Sequence, residues 1–229
     1  MNRRTRVFAL AVLCLLAAAP AAAPAAAKSV LQVPPLFQST PKPPPPSLVF
    51  AYGAWRVDAS ASAHAQPPAR TVRAIRQQID IVEHLGLKPE VLAFMRSQPV
   101  LADGWIGPGD APPAEYAAGR GVVLHVRRLD PKKPILLYGL LKAYQAQRLP
   151  GGFDNADVAR LRGEAAARRV WPKTARMLQN NQEFFALSAA TYLYGAITRE
   201  PYTRGDLKKT EPLCYQWLAN LFDAGRPRG

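Results

Sequence analysis

The chain has 229 residues and a formal net charge of +14, a length that suits one domain with a real apolar core. The basic residues are scattered, with no basic helix and no interleaved aromatic pattern, so the charge does not mark a nucleic-acid module. It leaves two readings: a solvated basic surface, or attraction to anionic envelope polymers or lipid headgroups.

The N-terminus reads as a secretory signal peptide over residues 1–27. Arg3, Arg4 and Arg6 form a charged start, Val7–Ala18 an apolar stretch, and Ala25-Ala26-Ala27 a cleavage site before Lys28. The apolar run is too short, and too broken by Ala and Pro, to span a membrane. No transmembrane span is expected after cleavage, and the chain is expected to be exported, either periplasmic or secreted. Cys14 follows Leu13 where a small residue would precede a lipidated cysteine, so no lipoprotein signal is read. Cys214 is then left alone and has no partner for an internal disulfide. Its apolar helical surroundings predict a buried, inert thiol.

Residues 28–47 form a Pro-rich linker ending P-K-P-P-P-P-S, a stiff spacer of polyproline type. Residues 48–229 are expected to form a single domain. Leu48–Trp55 is apolar and aromatic and reads as a first strand or an anchoring segment. Ala59–Ala69, with His64, reads as a loop. Thr71–Leu85 carries Val72, Ile75, Ile79, Val82 and Leu85 on one stripe, with Thr71 to cap it and Gly86 to end it. Lys88-Pro89-Glu90 opens a second short helix through Met95, with Pro in its first turn. Pro99–Asp103 predicts a short strand, Trp105–Tyr116 a Gly/Pro loop, and Gly121–Arg127 a β-branched strand on which His125 is a sheet residue.

The most informative stretch is Leu136–Gln147, L-L-Y-G-L-L-K-A-Y-Q-A-Q. Leu136, Leu137, Leu140, Leu141 and Tyr144 recur at helical spacing. Tyr138 and Lys142 are four apart and share a second face. Gly139 beside them lowers helix propensity by about 1 kcal/mol relative to Ala and asks for an explanation. Asp130-Pro131 and Pro134 precede this helix, and Leu149-Pro150-Gly151-Gly152 ends it. Asp154 or Asn155 caps a helix over Ala156–Arg169. Another begins at Pro172 or Lys173, carries Glu183, and runs to Tyr194 and Gly195, with Phe184, Leu187, Thr191 and Tyr194 as its core stripe. A last helix covers Leu213–Phe222.

With His, Glu and His in place of Tyr138, Gly139 and Lys142, the central helix would read L-L-H-E-L-L-H-A-Y. That is the zinc-peptidase motif of two His ligands around a general-base Glu. Together with N-x-E-F-F-A around Glu183, the segment resembles the anthrax lethal factor-like zinc metallopeptidases, gluzincin-type zincins. The likeness runs from about Gly107 to Phe222 and includes P-K-K-P-I-L-L, L-P-G-G-F-D-N, E-F-F-A-L-S-A-A-T-Y-L-Y-G and E-P-L-C-Y-Q-W-L-A-N-L-F. It implies an α+β, zincin-like catalytic domain, a small mixed sheet with a helix-rich C-terminal part. It also places Glu183 at the glutamate ligand, Tyr138 and Lys142 at the two histidine ligands, Gly139 at the general base, and Arg176 near a family tyrosine. In the family a strand matching Val122, Val123, Leu124 and His125 lies at the sheet edge above the cleft and pairs with peptide substrates.

The chemistry itself is missing. A protonated amine and a phenol are poor metal ligands, and a glycine supplies no base. No catalytic residue is intact, and neither a metal nor another cofactor is expected. His64, His84 and His125 all lie off the central helix. A buried Glu183 without a metal would need another cation. Lys142 is expected to supply it, with the Tyr138 hydroxyl completing the hydrogen bonding; the alternative is that both side chains face solvent. No other nucleophile arrangement or phosphate loop is present. The expected function is an exported, catalytically inactive peptidase homologue that binds an unknown peptide or protein without cutting it. The rivals are an active zinc metalloendopeptidase with a non-standard ligand set, and a basic cell-envelope structural or anchoring protein.

Overall fold

In the computed structural model, residues 44–108 and 112–223 are described. The predicted signal peptide (1–27) and most of the predicted linker (28–43) lie outside the described residues. The rest is α+β: a five-stranded mixed sheet in the order β1-β2-β3-β5-β4, followed by a helix-rich C-terminal part. Among the described residues no helix is long and apolar enough to cross a membrane.

β1 (Val49–Tyr52) and β2 (Trp55–Asp58) form a hairpin in place of the single predicted strand. Gly53, at φ +56°, lets the chain reverse in two residues and pairs Tyr52 with Trp55. In β2 the period-two pattern buries Trp55 and Val57 and exposes Arg56 and Asp58. α1 (Pro68–Glu83) and α2 (Pro89–Ser97) then cross to β3 (Val100–Asp103), parallel to β2. α1 starts a turn before Thr71 because Pro68 suits a first helical turn, where its missing N–H is not needed.

β5 (Gly121–His125) runs parallel to β3, with Asp103 opposite His125. β4 (Ala114–Ala117) pairs antiparallel with the other side of β5, from Ala114 opposite Leu124 to Ala117 opposite Gly121. This corrects the expected edge strand. Val122, Val123, Leu124 and His125 lie in a strand paired on both sides, and the edge belongs to β4, which begins inside the segment predicted as loop. The reason is burial: β5 is apolar and largely covered, as an inner strand should be, whereas Glu115 of β4 is exposed.

α3 (Ile135–Arg148) packs on β4 and β5 and, on its other side, against α5 (Asn181–Tyr194). The contact with the sheet explains Gly139. A Cβ there would lie 2.5 Å from Val122 Cγ1 and 3.3 Å from Ala114 Cβ. The helix backbone rests on the strand, and only glycine permits that approach. α5 buries every residue from Glu183 to Leu193, so its core face is no single stripe, and Tyr194 is only half-buried. Such a helix has to be enclosed: α3, α4 (Ala156–Arg168), α6 (Arg204–Thr210) and α7 (Pro212–Phe222) all touch it. α4 is capped by Asn155, whose side chain accepts from Val158 N at 3.0 Å. α6 has no counterpart among the predicted elements. Its cap is Thr203, which accepts from Asp206 N at 3.1 Å.

Candidate functional site

α5 begins at neither Pro172 nor Lys173. Asn180 caps it, accepting from Glu183 N at 2.8 Å, and residues 172–179 form turns that include a short 3-10 segment, Arg176–Leu178. The cap fixes Glu183 in the first turn, facing α3. The preceding turn brings Arg176 back to the same carboxylate.

Four side chains converge there. Lys142 Nζ lies 2.8 Å from Glu183 Oε1. Arg176 Nε lies 2.9 Å from Oε2. The Tyr138 hydroxyl lies 2.6 Å from Oε1 and 2.7 Å from Oε2, its one proton shared between them. Arg176 also hydrogen-bonds the Tyr138 side chain, and Lys142 Nζ sits 4.5 Å from the centre of the tyrosine ring, a cation–π contact. Tyr138, Lys142 and Glu183 are all buried, Glu183 at 4% exposure.

The electrostatics follow from that geometry. Burial alone would push the Glu183 carboxyl up. The charge of Lys142 and the hydrogen bonds from Arg176, Lys142 and Tyr138 outweigh it and hold the pKa below the usual carboxylate range. Burial and the facing carboxylate push the Tyr138 phenol up, so it stays protonated and donates. For Arg176, burial works against the charge, but the Glu183 hydrogen bond and charge prevail and the guanidinium pKa is raised. One carboxylate against two cations leaves a surplus positive charge.

This donor set does not fit zinc. A metal needs lone pairs from N, S or O ligands. Here an ammonium and a guanidinium, which have none to give, occupy the carboxylate. Among the described residues there is no group of three or more His, Cys, Asp and Glu that could hold a metal ion. Gly139, at the general-base position of the resemblance, has the sheet where a side chain would go.

The histidines lie elsewhere. His64 is in an exposed turn, and His84 ends α1 with Nδ1 2.6 Å from Asp80 O. His125 is buried, its Nδ1 2.7 Å from Asp103 Oδ1 and its ring 4.6 Å from that of Trp105. None is a partner of Glu183. The site residue that sequence reasoning leaves without a role is Arg176. Its only signal is its place near a family tyrosine, which gives no direction for the side chain.

Tyr138 and Arg176 line a cavity of about 620 Å³. Its apolar part comes from Ile135, Leu187, Ala190 and Ile197, and Pro112 and Pro113, just before β4, line another side. Lys142 and Glu183 are not among its walls.

The chain matches no family model. No curated protein matches it either. Among solved structures it is similar to the PRO-PRO endopeptidase (PPEP-2) from Paenibacillus alvei, at 17% identity, over 69% of this chain and 94% of that chain, with a TM-score of 0.49. A likeness of that size carries neither an activity nor a substrate across. The resemblance to the lethal factor-like family rests on the motifs quoted above.

Proposed function

We propose that this chain is an exported, non-hydrolytic relative of the lethal factor-type metallopeptidases, and that it holds a peptide or protein segment in its cleft without cutting it. One observation carries this reading. Lys142 and Arg176 lie 2.8 and 2.9 Å from the two oxygens of Glu183, the glutamate that the resemblance assigns to the metal. The charge that a divalent ion would supply is supplied by two side chains, and neither can activate water. The close seat of Gly139 on Val122 supports the same conclusion, because a general base at that position has no room. For binding, the support is the cavity beside the cluster and the β4 edge that starts at its wall. An extended peptide adds to such an edge through main-chain hydrogen bonds. Export is supported by the N-terminal segment.

The test is elemental analysis of the purified chain together with a cleavage assay on a mixed peptide library, with and without a chelator. The expected outcome is no stoichiometric zinc and no cleavage in either condition. Zinc near one per chain, with cleavage that the chelator abolishes, would overturn the proposal.

A further inference from the structure

Among the described residues, the charge around the cavity is one-sided. Arg128, Lys132, Lys133, Arg176 and Arg199 line it, and no Asp or Glu does among the described residues. This is more than the overall basicity of the chain. A second cavity, of about 580 Å³, has Asp80 and His84 in its walls and, among the described residues, no Lys or Arg. A third, of about 270 Å³, has both Asp154 and Arg162 in its walls.

Two carboxylates nearby, Glu183 and Asp130, are already engaged. Both oxygens of Glu183 are taken up by Lys142, Arg176 and Tyr138. Asp130 sits 3.4 Å from Lys133 and accepts from Lys132 N at 2.9 Å. Lys132 and Arg199 carry their charges on exposed residues at the rim. In a concave site with apolar walls, charges of one sign reinforce one another and attract the opposite sign.

We infer that the cavity selects an acidic peptide segment, its carboxylates against Lys132 and Arg199 and its apolar side chains on Ile135, Leu187 and Ile197. The inference rests on the peptide-binding reading above and adds the charge of the ligand to it. A small inorganic anion would use the cations but leave the apolar wall uncovered. An extended acidic peptide covers both and continues from Pro112 and Pro113 onto the β4 edge. The volume lies within the ~300–1,000 Å³ of typical ligand clefts.

The experiment is fluorescence anisotropy on the full chain with a labelled peptide alternating Glu with Leu and Val, beside its Gln counterpart and a Lys counterpart. The Glu peptide should bind at least about tenfold more tightly than the Gln peptide, and salt should weaken it. Lys132→Glu with Arg199→Glu should abolish the preference, with the far-ultraviolet circular dichroism unchanged because both residues are exposed. If the Glu and Gln peptides bind equally, the peptide reading stands and the charge selectivity falls. If no peptide binds, both fall. Competition by inorganic phosphate at the same concentration as the Glu peptide would overturn the peptide class, as would binding to anionic lipid vesicles that the rim variant loses.

Discussion

Two buried glutamates of the helical layer behave in opposite ways. Glu183 meets Lys142, Arg176 and Tyr138, and its pKa is lowered. Glu211, between α6 and α7, is 2% exposed and also has a close cation, with Arg168 Nη1 2.6 Å from Oε2, and it accepts from Trp171 Nε1 at 3.0 Å. Its pKa is nevertheless raised: burial pushes it up, and the Trp171 hydrogen bond and the charge of Arg168 do not offset that. The difference is in the company. Arg168 also reaches Glu164 at 3.6 Å and is a third exposed, so its charge is divided and screened. Glu183 has two cations of its own. A single shared arginine leaves a buried carboxyl closer to neutrality; two dedicated cations keep it ionised.

The largest effect should come from breaking the better-supplied site. Lys142→Met leaves a buried carboxylate short of a partner and should cost about 3–5 kcal/mol in urea unfolding. Arg168→Met should cost less, about 1–2 kcal/mol, because Glu211 can take up a proton instead. Equal losses would remove the contrast. Next is the contact that seats the helix bearing Lys142. Gly139→Ala gains about 1 kcal/mol in helix propensity but meets Val122, an overpacking of about 1–3 kcal/mol. It should destabilise the chain, and a Val122→Ala background should lessen the harm, as a double-mutant cycle would show.

The pH dependence should then differ in sign. The folded pKa of Glu183 is lowered, so its contribution is present above the unfolded value and is lost as pH falls through the folded one. Glu183→Gln should therefore flatten the acid side of the stability profile. The folded pKa of Glu211 is raised, so its contribution is present below the unfolded value and is lost as pH rises through the folded one. Glu211→Gln should gain stability relative to the unaltered chain toward neutral pH. Stability measured from pH 3 to 7 for both variants decides this. The smallest effect lies beside Glu211. Burial, opposed by a Ser188 hydrogen bond and joined by the Glu211 charge, pushes the Cys214 thiol up to about 12. Its reaction with a thiol reagent at pH 8 should run at the rate of unfolding and not faster.

Much of the helical layer is legible in the residue pattern alone. The spacing predicts a helix over Leu136–Gln147 and the helix spans Ile135–Arg148, because five apolar residues at helical spacing leave little choice. The four-residue offset of Tyr138 and Lys142 also puts them on one face. β4 is not legible: A-E-Y-A carries no strand pattern, and it pairs because β5 offers an edge that α3 covers. α6 gives a weak signal because R-G-D-L-K-K-T buries only Leu207. Arg176 is hidden for a different reason. It lies in a turn, and no periodicity says where a turn residue points.

The seat of Gly139 on Val122 ties two positions together in sequence change. A Cβ at 139 falls 2.5 Å from Val122 Cγ1, so a side chain there, a carboxylate included, asks for a trimmed residue in the strand beneath it. Substitutions at the two positions are expected to travel as a pair, and helix and sheet vary together.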